Sequence, residues 1–279
     1  MKILSKHLYI VSTPIGNLDD ITFRALEILK NSDIILCEDT RRSIKLLSYY
    51  KIKKKLIPYH KFNEKRQLTK IIEYFNEGKI LSLISDAGTP LLSDPGRLLV
   101  NQCIENGIEI TPIPGVSSIT SATSASGFKD QFLFYGFLPK TRNELDKVLL
   151  TLSQNDYTQV FFVPSKKINF YINSFKKHYS GRKLVIAKEI TKIHETFIRE
   201  NVDDLKTFEN GLKGELTIVI SERNKKAKSF DEEKIVNKVK MYLKKYSLKD
   251  TVNLISETEK INKKKIYNLC LKIKNEKDF

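Results

Sequence analysis

Four short segments bring together residue types able to do chemistry. In CEDTRRS the carboxylates Glu38 and Asp39 stand just ahead of the guanidinium groups of Arg41 and Arg42. A carboxylate pair can take a proton or hold a ribose hydroxyl, and arginine grips a phosphate through its forked donor geometry. The same residues also spell a helix start, capped by Asp39 or Thr40 with the arginines in water, and the residues alone leave both readings open. In SDAGTPLLSDPG, Gly88, Pro90, Pro95 and Gly96 fix an unusual loop, while Asp86 and Asp94 offer carboxylates and Thr89 a hydroxyl. A loop so constrained holds main-chain carbonyls and amides in place, and aimed carbonyl oxygens suit a cationic ligand such as a sulfonium. In STPIGNLDD, Pro14, Gly16 and Asn17 enforce a tight turn. The fourth segment, TPIPGVSSITSATSAS, sets Pro114 and Gly115 before a run of small hydroxyl residues, which reads as a sharp turn into a close-packing helix rather than as a linker.

The elements that must carry these segments follow from hydrophobic period. LYIVS (residues 8–12), DIILCE (33–38), KILSLIS (79–85) and IEITPIP (108–114) are apolar runs of strand length. Between the first two, Ile21, Ala25, Ile28 and Leu29 share one helical face, with Asp19 and Asp20 as candidate caps. These are strand–helix units, which imply a mostly parallel sheet with the turns above at the carboxyl ends of its strands, where ligands bind in such sheets. A second series follows: QFLFYGF, a helix near residues 142–153, TQVFFVP, a helix near 166–178, KLVIAKEI, ETFIRE and ELTIVIS. Its density of strands predicts a mixed sheet. After Arg223 the strands stop, and helices are predicted over 231–245, 248–258 and 262–274. The last two have helix-turn-helix spacing, with Val252, Leu254, Ile255, Ile266, Leu269 and Leu271 as the apolar positions; a hairpin packed on its neighbour and a groove-binding pair fit equally.

The chain has 279 residues and a net charge of +16, with nine arginines and 40 lysines. That length and its 41% hydrophobic content suffice for two mid-sized α/β domains, and the composition is not that of a disordered chain. Lysine excess alone is weak testimony for a polyanion, but residues 224–279 hold 16 lysines against eight acidic residues, half the net charge in a fifth of the chain. Tyr49, Tyr50, Tyr59 and Phe62, interleaved with Lys51, Lys53, Lys54, Lys55 and Lys61, mix rings and cations as single-stranded RNA binding requires, with half of the rings expected in the core. Cys37, Cys103 and Cys270 form no C-x-x-C pair and the four histidines no ligand spacing, so no metal is expected. No G-x-G-x-x-G or G-x-x-x-x-G-K-[ST] occurs, which disfavours nucleotide phosphate binding by those routes. With no apolar run of the ~18–20 residues that span a bilayer, and no signal-peptide pattern, a reduced, cytoplasmic protein without a membrane partner is expected.

Together and in this order, LYIVSTPIGNLDDIT, CEDTRRS, ISDAGTPLLSDPG and PIPGVSSITSA resemble the bacterial ribosomal RNA 2′-O-methyltransferases of the tetrapyrrole methylase superfamily, enzymes that use S-adenosylmethionine. The likeness continues through FLPK (137–140), EITKIHE (189–195) and KGE (213–215), and the tail is similar to that family's C-terminal helical domain. The resemblance implies two α/β domains, 1–115 and 116–223, with the methyl donor in the cleft between them, and a basic helical domain over 224–279. Carried over by position, the donor site comprises Pro14; Asp86, Gly88, Thr89 and Pro90; Pro114, Gly115, Val116, Ser117 and Ser118; and, from the second domain, Val163 and Glu189. One departure is FFVPSKK, where the family carries an FYES-type strand end followed by a basic residue; Lys166 or Lys167 stands in that residue's place.

The substrate so implied is the ribose of a decoding-centre cytidine in 16S ribosomal RNA within the small subunit, and the implied assembly is a homodimer. Methyl transfer to a 2′-hydroxyl is an in-line displacement in which positioning does most of the work, leaving one proton to be accepted. Glu38 and Asp39, beside Arg41, are the candidate catalytic residues, with the arginines, Arg42 among them, on a flanking phosphate. His60 and His194 are alternative proton acceptors or RNA contacts, and Lys140 and Lys213 phosphate contacts. Two other readings compete. A corrinoid-precursor methylase is opposed by the lysine-rich tail and the CEDTRRS and EITKIHE segments; a non-catalytic RNA-binding protein is opposed by the intact SDAGTP and PGVSS turns.

Overall fold

A computed structural model of the chain describes residues 5–223, 232–259 and 263–275. They form two compact units that meet in sequence at Arg223 and Asn224. The NKKAKS stretch and the expected helix ends at Asp231 and Asn262 lie outside the described residues.

The first unit contains two five-stranded sheets. Strands β1 (His7–Val11), β2 (Ile34–Cys37), β3 (Lys55–Pro58), β4 (Ile80–Ile84) and β5 (Glu109–Ile113) make a wholly parallel sheet in the order β3-β2-β4-β1-β5. Parallel strands need crossovers, and these are helices α1 (Phe23–Asn31), α2 (Thr40–Tyr49), α3 (Glu64–Asn76) and α4 (Arg97–Glu105). Both faces are covered, so the strands are apolar on both. Leu8, Leu36, Leu81 and Leu83 pack toward α3 and α4, while Tyr9, Val11, Ile35 and Cys37 pack toward α1 and Leu47 of α2. Helix α1 starts later than its apolar face predicts: Asp19 and Asp20 lie in a short 3₁₀ turn capped by Asn17, and Thr22 caps α1 by accepting from the Ala25 amide. Asp19 and Asp20 therefore do not cap it. A β-branched hydroxyl in extended backbone does, and such a cap contributes about 1 kcal/mol.

The second sheet is mixed, in the order β6-β7-β10-β8-β9: β6 (Phe132–Phe137), β7 (Thr158–Pro164), β8 (Lys183–Lys188), β9 (Thr196–Asn201) and β10 (Glu215–Ile220). Only β6 and β7 run parallel; β10 is antiparallel to β7 and β8, and β9 to β8. Helices α6 (Arg142–Leu152) and α7 (Ile168–His178) cover one face through Phe161, Ile186 and Ile218. Helix α5 (Ser118–Ser126), built of serine, threonine and alanine, covers the other, pressing Ile119 and Ala122 on Val160, Val185 and Val219.

The second unit is three helices, α8 (Glu232–Leu243), α9 (Leu248–Glu259) and α10 (Lys263–Asn275), around Val239, Val252, Ile255, Ile266 and Cys270. Of the apolar positions predicted there, Leu254 is exposed instead. All three cysteines are buried thiols, and no helix among the described residues is long and apolar enough to cross a membrane.

Candidate active site

Strands β1 and β4 are neighbours in the first sheet, yet the chain leaves β1 toward β2 and leaves β4 toward β5, in opposite directions. A crevice opens where connections part in this way. The loops lining it are the two proline-glycine turns. They are stitched together by a two-residue bridge in which Thr13 and Gly88 exchange amide-to-carbonyl hydrogen bonds, each 2.9 Å. Thr89 Oγ1 lies 3.0 Å from Ser12 Oγ and 3.2 Å from the Val116 carbonyl, so it ties both loops to the β5–α5 turn. Gly115 of that turn comes so close to β1 that a Cβ would stand 2.8 Å from the Ser12 Cβ.

The second sheet closes the crevice. Because β10 is antiparallel to β7 and β8, its first residues lie at the same end as their last ones. Phe137, Phe162 to Lys167, Ala187 and Gly214 to Thr217 thus face the loops of the first sheet across a cavity of about 640 Å³, within the range of small-molecule sites. Of the predicted donor residues, Asp86, Gly88, Thr89, Ser117, Ser118 and Val163 line it, and so does Arg42. An adjoining cavity of about 420 Å³ takes in Pro14, Lys45, Tyr49 and Lys192, and shares Arg42 and Asp86 with the first.

Carboxylates gather on the first-sheet side. Asp86 accepts from the Asp39 amide at 3.1 Å and pairs with Arg42 at 3.3 Å. Burial raises the Glu38 pKa, and Asp86 raises it further. Asp94 is pushed up to about 6, by burial first and then by Glu38. Asp39 is the opposite case. One oxygen caps α2 at the Arg41 amide, and both oxygens bond the Arg41 guanidinium, which holds its pKa down at about 2.

The remaining predicted residues lie off the cavity wall. Pro90 is buried behind Thr89; Pro114 is exposed; the Val116 carbonyl faces Thr89. Glu189, at φ 53°, accepts from the Glu215 amide and from Lys192, fixing the start of β10 without lining the cavity. Glu38 is half-buried at the end of β2, and Arg41 is exposed. His60 packs edge-on to Phe62 with its Nδ1 buried and unbonded. Lys140, His194 and Lys213 are exposed beyond β6, β8 and before β10. Of the four aromatic residues near the lysine run, Tyr59 is core and Tyr50 bonds the Leu18 carbonyl, while Tyr49 and Phe62 are exposed. Sequence reasoning offered Asp94 as a carboxylate without assigning it a step, and gave no role to Phe137, Phe162 or Glu215. Asp94 stood in a singled-out loop, and Phe137, Phe162 and Glu215 stood in the segments FLPK, FFVPSKK and KGE. No group of side chains among the described residues is arranged to hold a metal ion.

This architecture, two sheets whose strand-end turns share one cavity, is that of a methylase: the model of the Tetrapyrrole (Corrin/Porphyrin) Methylases family matches residues 7–206, and the chain belongs to that family. Among solved structures it resembles uroporphyrin-III-C-methyltransferase from Thermus thermophilus (19% identity, TM-score 0.55, 77% of this chain and 94% of that one). It also resembles a diphthine synthase (15% identity, TM-score 0.58, 77% and 89%). At those identities the likeness is one of fold. Within the family it groups with proteins named ribosomal RNA small subunit methyltransferase I: those of Mesomycoplasma conjunctivae (42% identical, 85% of this chain, all of the relative), Thermotoga maritima (42%, 77% and 97%) and Pasteurella multocida (38%, 97% and 99%).

Proposed function

We propose that the protein transfers a methyl group from S-adenosylmethionine to the 2′-hydroxyl of a cytidine in 16S ribosomal RNA, acting in the cytoplasm on the small subunit, as a homodimer. The observation that carries this reading is the single cavity into which turns from β1, β4, β5 and β7 converge.

The residues present suit the donor. Gly88, at φ +80°, has no side chain on a wall where a Cβ would already crowd Ile15 at 3.2 Å, so backbone can approach a ligand closely. Hydroxyls of Thr89, Ser117 and Ser118 offer polar contacts, Asp86 and loop carbonyls suit a positive sulfur, and Lys166 and Lys167 suit a ligand carboxylate. When bound, the donor supplies an already activated methyl electrophile. The protein's part is then positional: the β1, β4 and β5 turns hold one side of the cavity rigid, and Phe137, Phe162 and Val163 keep water from the other. Residues 1–115 and 116–223 would supply these two sides, and the basic 224–279 segment would bind RNA phosphates. Arg42, which lines both cavities, would meet a phosphate beside the reacting ribose, with Lys45 on the same helical face. Lys140, Lys213, His60 and His194 complete the proposed RNA contacts.

The test is incubation with labelled donor and small subunits from a strain lacking this gene. Label should appear on a ribose of 16S RNA; label on a base, or on a tetrapyrrole offered in competition, would overturn the reading. The adjoining cavity makes a narrower prediction. Tyr49, 59% exposed on its rim, is placed to stack on a neighbouring base, an interaction of about 1–3 kcal/mol. Tyr49→Ala should therefore raise KM for the subunit at least fivefold and leave donor affinity unchanged. Calorimetry and steady-state kinetics check both halves.

A further inference from the structure

We propose that Asp94 is the residue that accepts the ribose hydroxyl proton during methyl transfer, an inference that rests on the ribose-methylation reading above. Four observations place it there. Asp94 lines the cavity, whereas Asp39 does not and has both oxygens engaged by Arg41. Its loop is held in an unfavourable backbone: Leu91 and Ser93 both have positive φ, at 70° and 75°, and neither is glycine. Strain of this kind persists only where surrounding structure enforces it, and it concentrates at sites of function. The enforcement is visible on both flanks. Glu64 of α3 accepts from the Gly96 amide at 2.7 Å, and Gly136 of β6 leaves space that Ser93 Oγ fills, where a Cβ would stand 2.9 Å away. Loop 91–96 is thus pinned between the two sheets with Asp94 at the cavity wall.

The surroundings give that carboxylate the right basicity. Glu38 at the end of β2 and Asp86 at the end of β4 face it as like charges. Arg42 of α2 offsets Asp86, and Lys166, Lys167 and Glu215 lie across the cavity on the second sheet. Burial and Glu38 bring Asp94 to about 6, so it is ionised at neutral pH yet a far better proton acceptor than Asp39. In the step, the ribose O2′ gains the methyl carbon of the sulfonium donor as the carbon–sulfur bond breaks and its electron pair stays on sulfur. The hydroxyl proton passes to the Asp94 carboxylate, which returns it to water.

The test pairs Asp94→Asn with Asp94→Glu in the full-length protein, using donor and small subunits as substrates. In the wild type, kcat/KM should fall about tenfold per pH unit below about 6, since only the ionised form accepts a proton. Carboxyl-carbon NMR of ¹³C-aspartate-labelled protein without ligands should show a matching titration that is absent from Asp94→Asn. Asp94→Asn should lose at least a hundredfold in kcat with donor affinity within threefold of wild type by calorimetry. Asp94→Glu should recover part of that rate with a displaced pH profile. Asp94→Asn retaining more than a third of the rate, an acid limb persisting in it, or Asp94→Glu no more active than Asp94→Asn would each overturn the assignment. A wild type that labels no ribose would instead overturn the reading on which the assignment rests.

Discussion

Gly88→Val should weaken S-adenosylmethionine binding by a hundredfold or more while leaving the protein folded. At φ +80° a β-branched residue is strained by roughly 1–3 kcal/mol, and its Cβ would start 3.2 Å from Ile15. The loop cannot relieve this by moving, because the Gly88 amide and carbonyl are both spent on Thr13 at 2.9 Å. Thr89 next to it carries the links to Ser12 and to the Val116 carbonyl, so any displacement passes to all three turns on the first-sheet side of the cavity. A hundredfold corresponds to about 2.7 kcal/mol, which that displacement supplies. Calorimetric titration measures the loss, and a melting temperature only a few degrees below wild type establishes that the fold survives. Affinity within threefold of wild type would mean the donor does not rest on this turn.

The largest stability loss should follow Arg182→Ala. This guanidinium is 4% exposed in the second sheet's half of the unit. It donates to the carbonyls of Ser221 at 3.2 Å, Ser153 at 2.6 Å and Asn155 at 3.1 Å, and lies over the Tyr179 ring. It thereby joins the end of β10, the end of α6 and the start of β8. Burial lowers its pKa, but an arginine stays charged at any ordinary pH, so the site is a cation neutralised by carbonyl dipoles. Removing it strands two buried acceptors and a part-buried one and opens a cavity, a loss of about 3–5 kcal/mol. In a unit of this size that is a fall in melting temperature of roughly 10 °C. Arg182→Lys should recover only part, since one ammonium cannot span the three oxygens. A fall below 2 °C for the alanine variant would show that water satisfies those carbonyls.

Why some of this was visible in sequence and some not has a physical basis. Strands buried on both faces are unbroken apolar runs, so LYIVS, DIILCE and KILSLIS stand out from their surroundings, as do TQVFFVP and ELTIVIS in the second sheet. Strand β3 is four residues at the edge of its sheet, with only Ile57 buried, and a lysine-rich stretch hides it. The hydroxyl-rich TPIPGVSSITSATSAS has linker-like composition, yet small residues are what lets α5 lie close on Val160 and Val219. Turns rich in proline and glycine announce their places on the first-sheet side of the cavity. The other side depends on β10 running antiparallel to its neighbours, which brings Gly214 to Thr217 alongside Phe162 and Val163, and strand direction leaves no mark in composition. Asp39 shows the limit of reading side chains by type: its carboxylate is ordinary until the helix start and Arg41 claim both oxygens.

The cavity walls come from two sheets, each packed on both of its faces, and lining residues from both sheets are needed to enclose it. A molecule seated there is therefore a fastener as well as a reactant. Occupancy at a hundred times the dissociation constant adds about 2.7 kcal/mol of resistance to unfolding, shared by both halves because it vanishes when either opens. If the methyl donor is that molecule, the melting temperature should rise with donor concentration, and resistance to proteolysis should rise with it.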